Sequence, residues 1–308
     1  MHVPSLTRRQ FVAATATVAA LPAAAATPAL PFILVGDWGR QGADQQIDVA
    51  RQMGITAAAI GSAFTVSVGD NFYENGVAGL DDPQWQTSFE QVYTDKSLQT
   101  PWKIILGNHD YRGNVQAQLD YSAHSDRWQL PARYYAETQT LPDGAQAEIF
   151  YLDTSPFIQK YVGSKVNIAG QDTAKQLAWL DTALSASTAA WKIVIGHHPV
   201  YTSVEGTDSA DHDQPDLIAR LDPVLRKHGV KIYLAGHDHC LQAVRVEGVS
   251  YVVTGAGSLT YNPKGVIRGG FASGAHGFMT AYLSRDALRY ELVDMTGKVL
   301  YADTVTRI

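Results

Sequence analysis

Apolar residues along the chain gather into short, nearly continuous runs that each stop at a glycine, with a polar side chain just beyond. The runs cover 32–35, 64–68, 102–106, 191–195 and 231–235, closed by Gly36, Gly69, Gly107, Gly196 and Gly236. Runs of this length with little alternation predict strands buried on both faces. Two more follow the same logic: 149–152 reaches Asp153 without a glycine, and 249–254 ends at Gly255.

Between these runs the period changes. Segment 41–62 predicts a helix. Another starts at a cap on Asp172 or Thr173 and carries Leu177, Leu180 and Leu184 at helical spacing. A third, 215–228, sets Leu217, Leu221, Val224 and Leu225 on one face, and Pro223 inside it predicts a kink. After Phe271 the pattern turns to 278–283, 288–293 and 299–305, separated by Arg285-Asp286 and Thr296-Gly297, an antiparallel meander. Alternating strands and helices followed by hairpins predict a layered α/β fold with a mixed sheet. The stretch from Gly255 to Gly277, with Gly265, Gly269, Gly270 and Gly274, reads as a long mobile loop near the site.

Composition narrows the function. The 308 residues are 45% apolar and 18% charged, enough for one sizeable core. The 24 Lys and Arg against 30 Asp and Glu leave a formal charge of −6 with no basic run, which excludes a dedicated nucleic-acid binder. A single cysteine, Cys240, excludes a disulfide-stapled scaffold. At the N-terminus Arg8-Arg9 precede Phe11 and a small, weakly apolar stretch to Ala26. That stretch is shorter than the roughly 20 residues of a membrane span, so no stable membrane insertion is expected. It resembles a bacterial twin-arginine (Tat) export signal, with cleavage near Ala24 to Ala26. The expectation is a signal peptide over 1–26 that engages the Tat machinery, then a single catalytic domain over 27–308, working in the periplasm or outside the cell.

In open α/β sheets ligands bind beyond the carboxyl ends of the strands, so the residues after the closing glycines form one set. They are Asp37, Asp70 with Tyr73, Asn108 with His109, His197 with His198, and His237 with His239, and they include five of the ten histidines. That concentration points to metal. Asp37, Asp70 and Tyr73 are oxygen donors that can be anionic, whereas Asn108 and the histidines are neutral, which suits two ions of different charge. A phenol with pKa about 10 binds well only if the metal deprotonates it, and a trivalent ion does so best, hence Fe(III) on the anionic side. A carboxylate such as Asp70 can bridge two ions about 3.5 to 4 Å apart.

Five blocks carry these residues: Gly36-Asp37-Trp38-Gly39, Gly69-Asp70-Asn71-Phe72-Tyr73, Gly107-Asn108-His109-Asp110, Gly196-His197-His198-Pro199 and Gly236-His237-Asp238-His239. In order and spacing, from Ile33 to about Tyr261, they resemble the motif blocks of purple acid phosphatases. More exactly, they resemble the small, tartrate-resistant type within the calcineurin-like metallophosphoesterases, and Tyr73 decides the subfamily, because other metallophosphoesterases lack a tyrosine ligand there. The resemblance implies a layered α-β-β-α metallophosphoesterase sandwich with two mixed sheets. It implies a dinuclear centre in which Asp37, Tyr73 and His239 bind Fe(III) and Asp70 bridges. Asn108, His197 and His237 would hold a divalent ion, Fe, Zn or Mn. His109, positioned by Asp110, would stand beside the substrate phosphate and assist the leaving group, with Asn108 and His198 also facing substrate. The implied reaction is hydrolysis of a small phosphate monoester by in-line attack of metal-bound hydroxide, with an optimum in acid.

The chain also departs from that pattern. Where the small purple acid phosphatases carry a further substrate-facing histidine, this sequence reads Val204-Glu205-Gly206, and His212 nearby reads as part of a solvated acidic surface. Cys240 reads as a packed thiol, 155–172 with Lys160, Tyr161 and Lys165 as a surface loop, and Trp85, Trp128 and Trp179 as core. His124, His228 and His276 lie outside every motif. Two other functions fit the same residues: a phosphodiesterase on the same metals, or a non-hydrolytic metal or phosphate binder or iron redox protein.

Overall fold

The computed structural model describes residues 28–206 and 213–307, so the expected signal over 1–26 and His212 lie outside the described residues. In chain order the first strands are β1 Leu30–Val35, β2 Thr65–Ser67, β3 Trp102–Ile104, β4 Trp128–Gln129, β5 Tyr135–Thr140, β6 Gln146–Tyr151, β7 Trp191–Ile195 and β8 Val204–Gly206. They are followed by β9 Ile232–Ala235, β10 Leu241–Val246, β11 Val249–Thr254, β12 Lys264–Val266, β13 Phe271–Ser273, β14 Gly277–Leu283, β15 Ala287–Asp294 and β16 Val299–Thr306. Two seven-stranded sheets result, ordered β16-β15-β14-β1-β2-β3-β4 and β13-β10-β11-β9-β7-β6-β5, with β12 and β8 forming a separate ribbon. Each large sheet is mixed: β1 to β4 run parallel beside the antiparallel meander β14 to β16, and β6, β7, β9 and β11 run parallel between antiparallel edges.

The apolar runs explain the layering. Phe32 through Val35 are all fully buried, as are Ile193 through Ile195, because each central strand is covered on both faces. One continuous apolar core joins the two sheets. Where they meet, the amide of Gly36 donates to the carbonyl of Thr254 at 2.9 Å, and Gly257 returns the bond to Gly36 at 3.0 Å. This is the expected α-β-β-α sandwich, with α1 Gln46–Ile60 against the first sheet and α3 Thr173–Ala186 against the second. A short helix, α2 Val115–Asp120, precedes β4. Asp172 caps α3 by accepting from the amide of Lys175. Of its three spaced leucines, Leu180 and Leu184 are buried and Leu177 is half-buried.

Three expectations change in detail. The first helix begins at Gln46 rather than 41. The buried Gln46 side chain accepts from the amides of Arg40 and Gly42 and donates to the Ser88 carbonyl, fixing 40–45 as turns with Gln41, Asp44 and Gln45 at positive φ. The third helix is split in two, α4 Pro215–Arg220 and α5 Asp222–Lys227, with the break at Leu221 just before the proline ring that forbids continuation. The glycine-rich stretch is not one open loop: β12 pairs with β8 and β13 with β10. Trp85 and Trp128 are buried as expected, in a cluster with Trp38, Phe72, Phe89, Tyr93 and Trp102, whereas Trp179 is only half-buried against Phe150 and Tyr134. Among the described residues no helix is long and apolar enough to cross a membrane.

Candidate metal centre

The parallel strands of both sheets deliver their carboxyl ends to one place. Asp37, Asp70 and Asn108 follow β1, β2 and β3, while His197 and His237 follow β7 and β9. The turns that carry them are tight. Asp37, Asp70 and His237 all have left-handed backbone, φ 60, 51 and 70, a conformation that non-glycine residues hold only where the surroundings impose it. Gly107 makes room as well, since a Cβ there would lie 2.2 Å from Oδ1 of Asp70.

The donors form two sets that share Asp70. The Tyr73 hydroxyl lies 3.0 Å from Oδ1 of Asp37, 2.9 Å from Oδ2 of Asp70 and 3.0 Å from Nε2 of His239. On the other side, Nε2 of His197 lies 3.5 Å from Oδ1 of Asp70 and 3.3 Å from Oδ1 of Asn108. The His237 ring packs at 5.2 Å from that of His197, and its amide donates to Oδ2 of Asp37. All of these side chains except that of His237 are buried.

The charges are those of a place made for cations. Burial, then Asp37 and Asp70, hold the Tyr73 proton on far above the ordinary phenol value. Burial opposes a charge on His197, yet Asp70, Asp37 and the Val68 carbonyl together outweigh it and push the imidazole up to about 9. Burial likewise opposes ionisation of Asp70, and His197, His109 and His237 overcome it.

The donor chemistry fits two metal ions. Neighbouring ligands at right angles around an ion bound at about 2.1 Å stand roughly 3 Å apart, which is the spacing around Tyr73. His197 Nδ1 donates to the Val68 carbonyl at 2.9 Å and so presents the Nε2 lone pair to the site. Nδ1 of His239 is buried with no hydrogen-bond partner among the described residues, and the His239 ring stacks on Tyr261.

Two expectations are altered, the positioning of His109 by Asp110 and the facing of substrate by His198. His109 is oriented by the backbone of Glu74, whose carbonyl accepts from Nδ1 at 2.7 Å, and its Nε2 faces Oδ2 of Asp70 at 3.9 Å. Asp110 does not touch that ring: its carboxylate accepts from the amides of Gly107 and Asn71 and from the side chains of Asn71 and Gln118, bracing one site loop against the next. Burial and the nearby Asp70 push Asp110 up to about 7. His198 does not face the pocket either. It is fully buried, with Nδ1 2.9 Å from the Thr154 hydroxyl and Nε2 3.0 Å from that of Tyr161. Burial, then the neighbouring histidines, keep it neutral.

A pocket of about 300 Å³ opens over the donors, lined by Asp70, Asn108, His109, His237 and His239 together with Arg40, Glu74, Arg112, Lys160, Tyr161 and Tyr261. The loop at 155–172, expected to be plain surface, therefore supplies part of the wall. Arg40 and Arg112 were not foreseen. Arg40 lies 3.9 Å over the Tyr73 ring and pairs with Glu74, and Arg112 reaches the Glu74 carbonyl beside His109. Their signal was proximity in sequence, one residue past the first block and two past the third. His124, His228 and His276 stay outside, bonded to the Asp120 carbonyl, Asp181 and Thr260. Cys240 is a buried thiol pushed far up by burial and then by Asp238.

Residues 30–241 match the calcineurin-like phosphoesterase family. The chain is 32% identical to purple acid phosphatase 7 of Arabidopsis thaliana over 295 residues, covering 90% of this chain and 86% of that one. It is 33% identical to human tartrate-resistant acid phosphatase type 5 over 310 residues, 92% of each chain. Among solved structures it is similar to GAP50, the anchor in the inner membrane complex of Plasmodium, with a TM-score of 0.79 and 26% identity over 91% of this chain and 89% of that one.

Proposed function

The chain belongs to the calcineurin-like phosphoesterases, with purple acid phosphatases among its relatives, and from that premise we propose that it is a dinuclear acid phosphatase acting on phosphate monoesters. The observation that carries this reading is the Tyr73 hydroxyl, set within 3.0 Å of two carboxylates and an imidazole, with the second oxygen of Asp70 turned toward His197.

In this reading Asp37, Tyr73, His239 and Asp70 hold Fe(III), and Asp70, Asn108, His197 and His237 hold a divalent ion, Fe, Zn or Mn. When bound, the pair supplies the charge that polarises a phosphoryl group and the acidity that activates water for in-line attack. Asn108, in the pocket wall, orients the ester. His109 keeps its Nδ1 proton on the Glu74 carbonyl, so the proton that moves is the one on Nε2, the atom facing the pocket. Burial, reinforced by Arg112, lowers the His109 pKa, although Asp70 opposes the shift. The imidazolium therefore persists only in acid, and there it protonates the departing alkoxide. In this reading the acid optimum rests on His109 and needs no further loop histidine.

The likeness to GAP50, an anchor, favours a second reading in which the same fold binds without turnover. One experiment separates them: rates against pH for an alkyl phosphate monoester and the matching diester, on purified protein whose metal content is measured. Monoester turnover peaking in acid with two ions per chain supports the phosphatase. Preference for the diester reassigns the substrate class, and two bound ions without turnover favour the binding role.

We also propose that the protein is exported by the Tat route on the address over 1–26 and works in the periplasm or outside the cell. The precursor then accumulates in a strain lacking the Tat translocase, whereas normal export there refutes this route.

A further inference from the structure

A second cavity, of about 770 Å³, opens beside the metal-donor pocket, and Arg112 lines both. The walls of the second cavity carry the amides Asn75, Asn114, Asn167 and Gln171 and two guanidiniums, Arg112 and Arg133. No carboxylate and no lysine line it among the described residues. At its edge two backbones approach closely: a Cβ on Gly76 would stand 2.4 Å from the Asp110 carbonyl oxygen, and one on Gly113 would stand 2.2 Å from that of Gly76. These contacts hold the loop of Tyr73 against the loop of His109.

The two arginines differ from most others in the chain. Arg40, Arg127, Arg226, Arg268 and Arg285 each meet a carboxylate. Arg133 instead donates to the Tyr111 hydroxyl at 2.9 Å and lies over the Tyr111 ring. Arg112 bonds the Glu74 carbonyl and touches His109, and its Nε is buried with no partner among the described residues. A guanidinium has five N–H donors in a fixed fork, so each keeps donors for a ligand oxyanion. An amide offers both donor and acceptor, as a hydroxyl group requires.

We infer that this second cavity receives the leaving group, and that the preferred substrate is a phosphate ester of a polyol carrying a second anionic group, the chemical class of sugar bisphosphates. The inference rests on the phosphatase reading above. In that reading Nε2 of His109 protonates the departing oxygen, and Arg112, which stands 2.9 Å from Nδ1 of the same ring, lines both the donor pocket and the second cavity. The leaving group thus extends past Arg112 toward Arg133, the amides take its hydroxyls, and the guanidiniums take its distal anion.

Steady-state kinetics with p-nitrophenyl phosphate, fructose monophosphate and fructose bisphosphate test this. The wild type should show kcat/KM about tenfold or more higher for the bisphosphate than for the monophosphate, the scale of one charge-assisted hydrogen bond. Arg133→Gln should raise KM for the bisphosphate about tenfold and leave p-nitrophenyl phosphate unchanged. Because Arg133 also packs on Tyr111, Asn167→Ala, at an exposed position, is the second variant, and it should weaken both fructose esters but not the aryl ester. Turnover of the aryl ester without a bisphosphate preference, or equal losses for all three esters in both variants, overturns this inference and leaves the phosphatase reading standing. No turnover of any ester overturns both.

Discussion

The hydroxyl of Tyr73 donates to Oδ2 of Asp70 across 2.9 Å, while the other oxygen of that carboxylate faces His197. A buried phenol between carboxylates releases its proton only to a strong cation. Iron-loaded protein should therefore show a visible phenolate-to-iron absorption band. Tyr73→Phe should abolish the band while iron, measured separately, remains detectable. A band that survives in Tyr73→Phe would remove Tyr73 from the iron side.

Asp70 serves both donor sets, so its neutral isostere should weaken both. Asp70→Asn should bind fewer than two metals per chain and lose roughly 10²- to 10³-fold in kcat, the scale of removing one strong electrostatic stabiliser. Elemental analysis beside the rate assay checks it, and full metal content with unchanged kcat would contradict the shared role.

His109 predicts a dependence on the leaving group. An alkoxide needs the proton on Nε2 and a nitrophenolate hardly does. His109→Asn should cost about 10²- to 10⁴-fold on alkyl phosphates and far less on aryl ones. Burial holds the His109 pKa below the ordinary imidazole value, so alkyl-ester activity in the wild type should fall as pH rises through that lowered value. The same limb should be flat in the variant.

Asp153 offers a test of stability away from the donors. It accepts from the Tyr111 hydroxyl, and burial pushes its carboxyl up to about 7. Its unfolded value is about 3.9. Between the two the folded chain binds a proton that the unfolded chain has released, so this group makes stability fall as pH rises. The decline is at most about 1.4 kcal/mol per pH unit, and Asp153→Asn should lack it. Denaturant midpoints of both metal-stripped proteins across that range should diverge toward neutral pH, and parallel curves would refute the assignment.

The sequence made the strands and donors legible because one device repeats: an apolar run, a glycine and a polar side chain at a carboxyl end. The strands that end before Gly107 and Gly196 needed only that pattern. What stayed hidden depends on contacts between distant segments. Nothing local shows that Gln46 would turn inward and delay its helix, or that Val204–Gly206 would pair with Lys264–Val266. His198 resembled its neighbour His197 in every local respect. Only packing beneath Thr154 and Tyr161 withdraws it from the pocket. Asp110 was legible as important but not as a brace, since its partners Asn71 and Gln118 come from another site loop and from α2. Lys160 and Tyr161 belong to no motif and reach the pocket through the path of their loop.

The donors come from both sheets, and the amide of His237 bonds the side chain of Asp37 across 200 positions of sequence. No early portion of the chain contains a complete centre. On a ribosome, synthesis must pass residue 239 before the last imidazole exists, and both sheets must then close before Tyr73 and His239 meet. Metal capture is thus a late event in the life of each molecule, and the compartment where folding finishes is the one whose ions it takes.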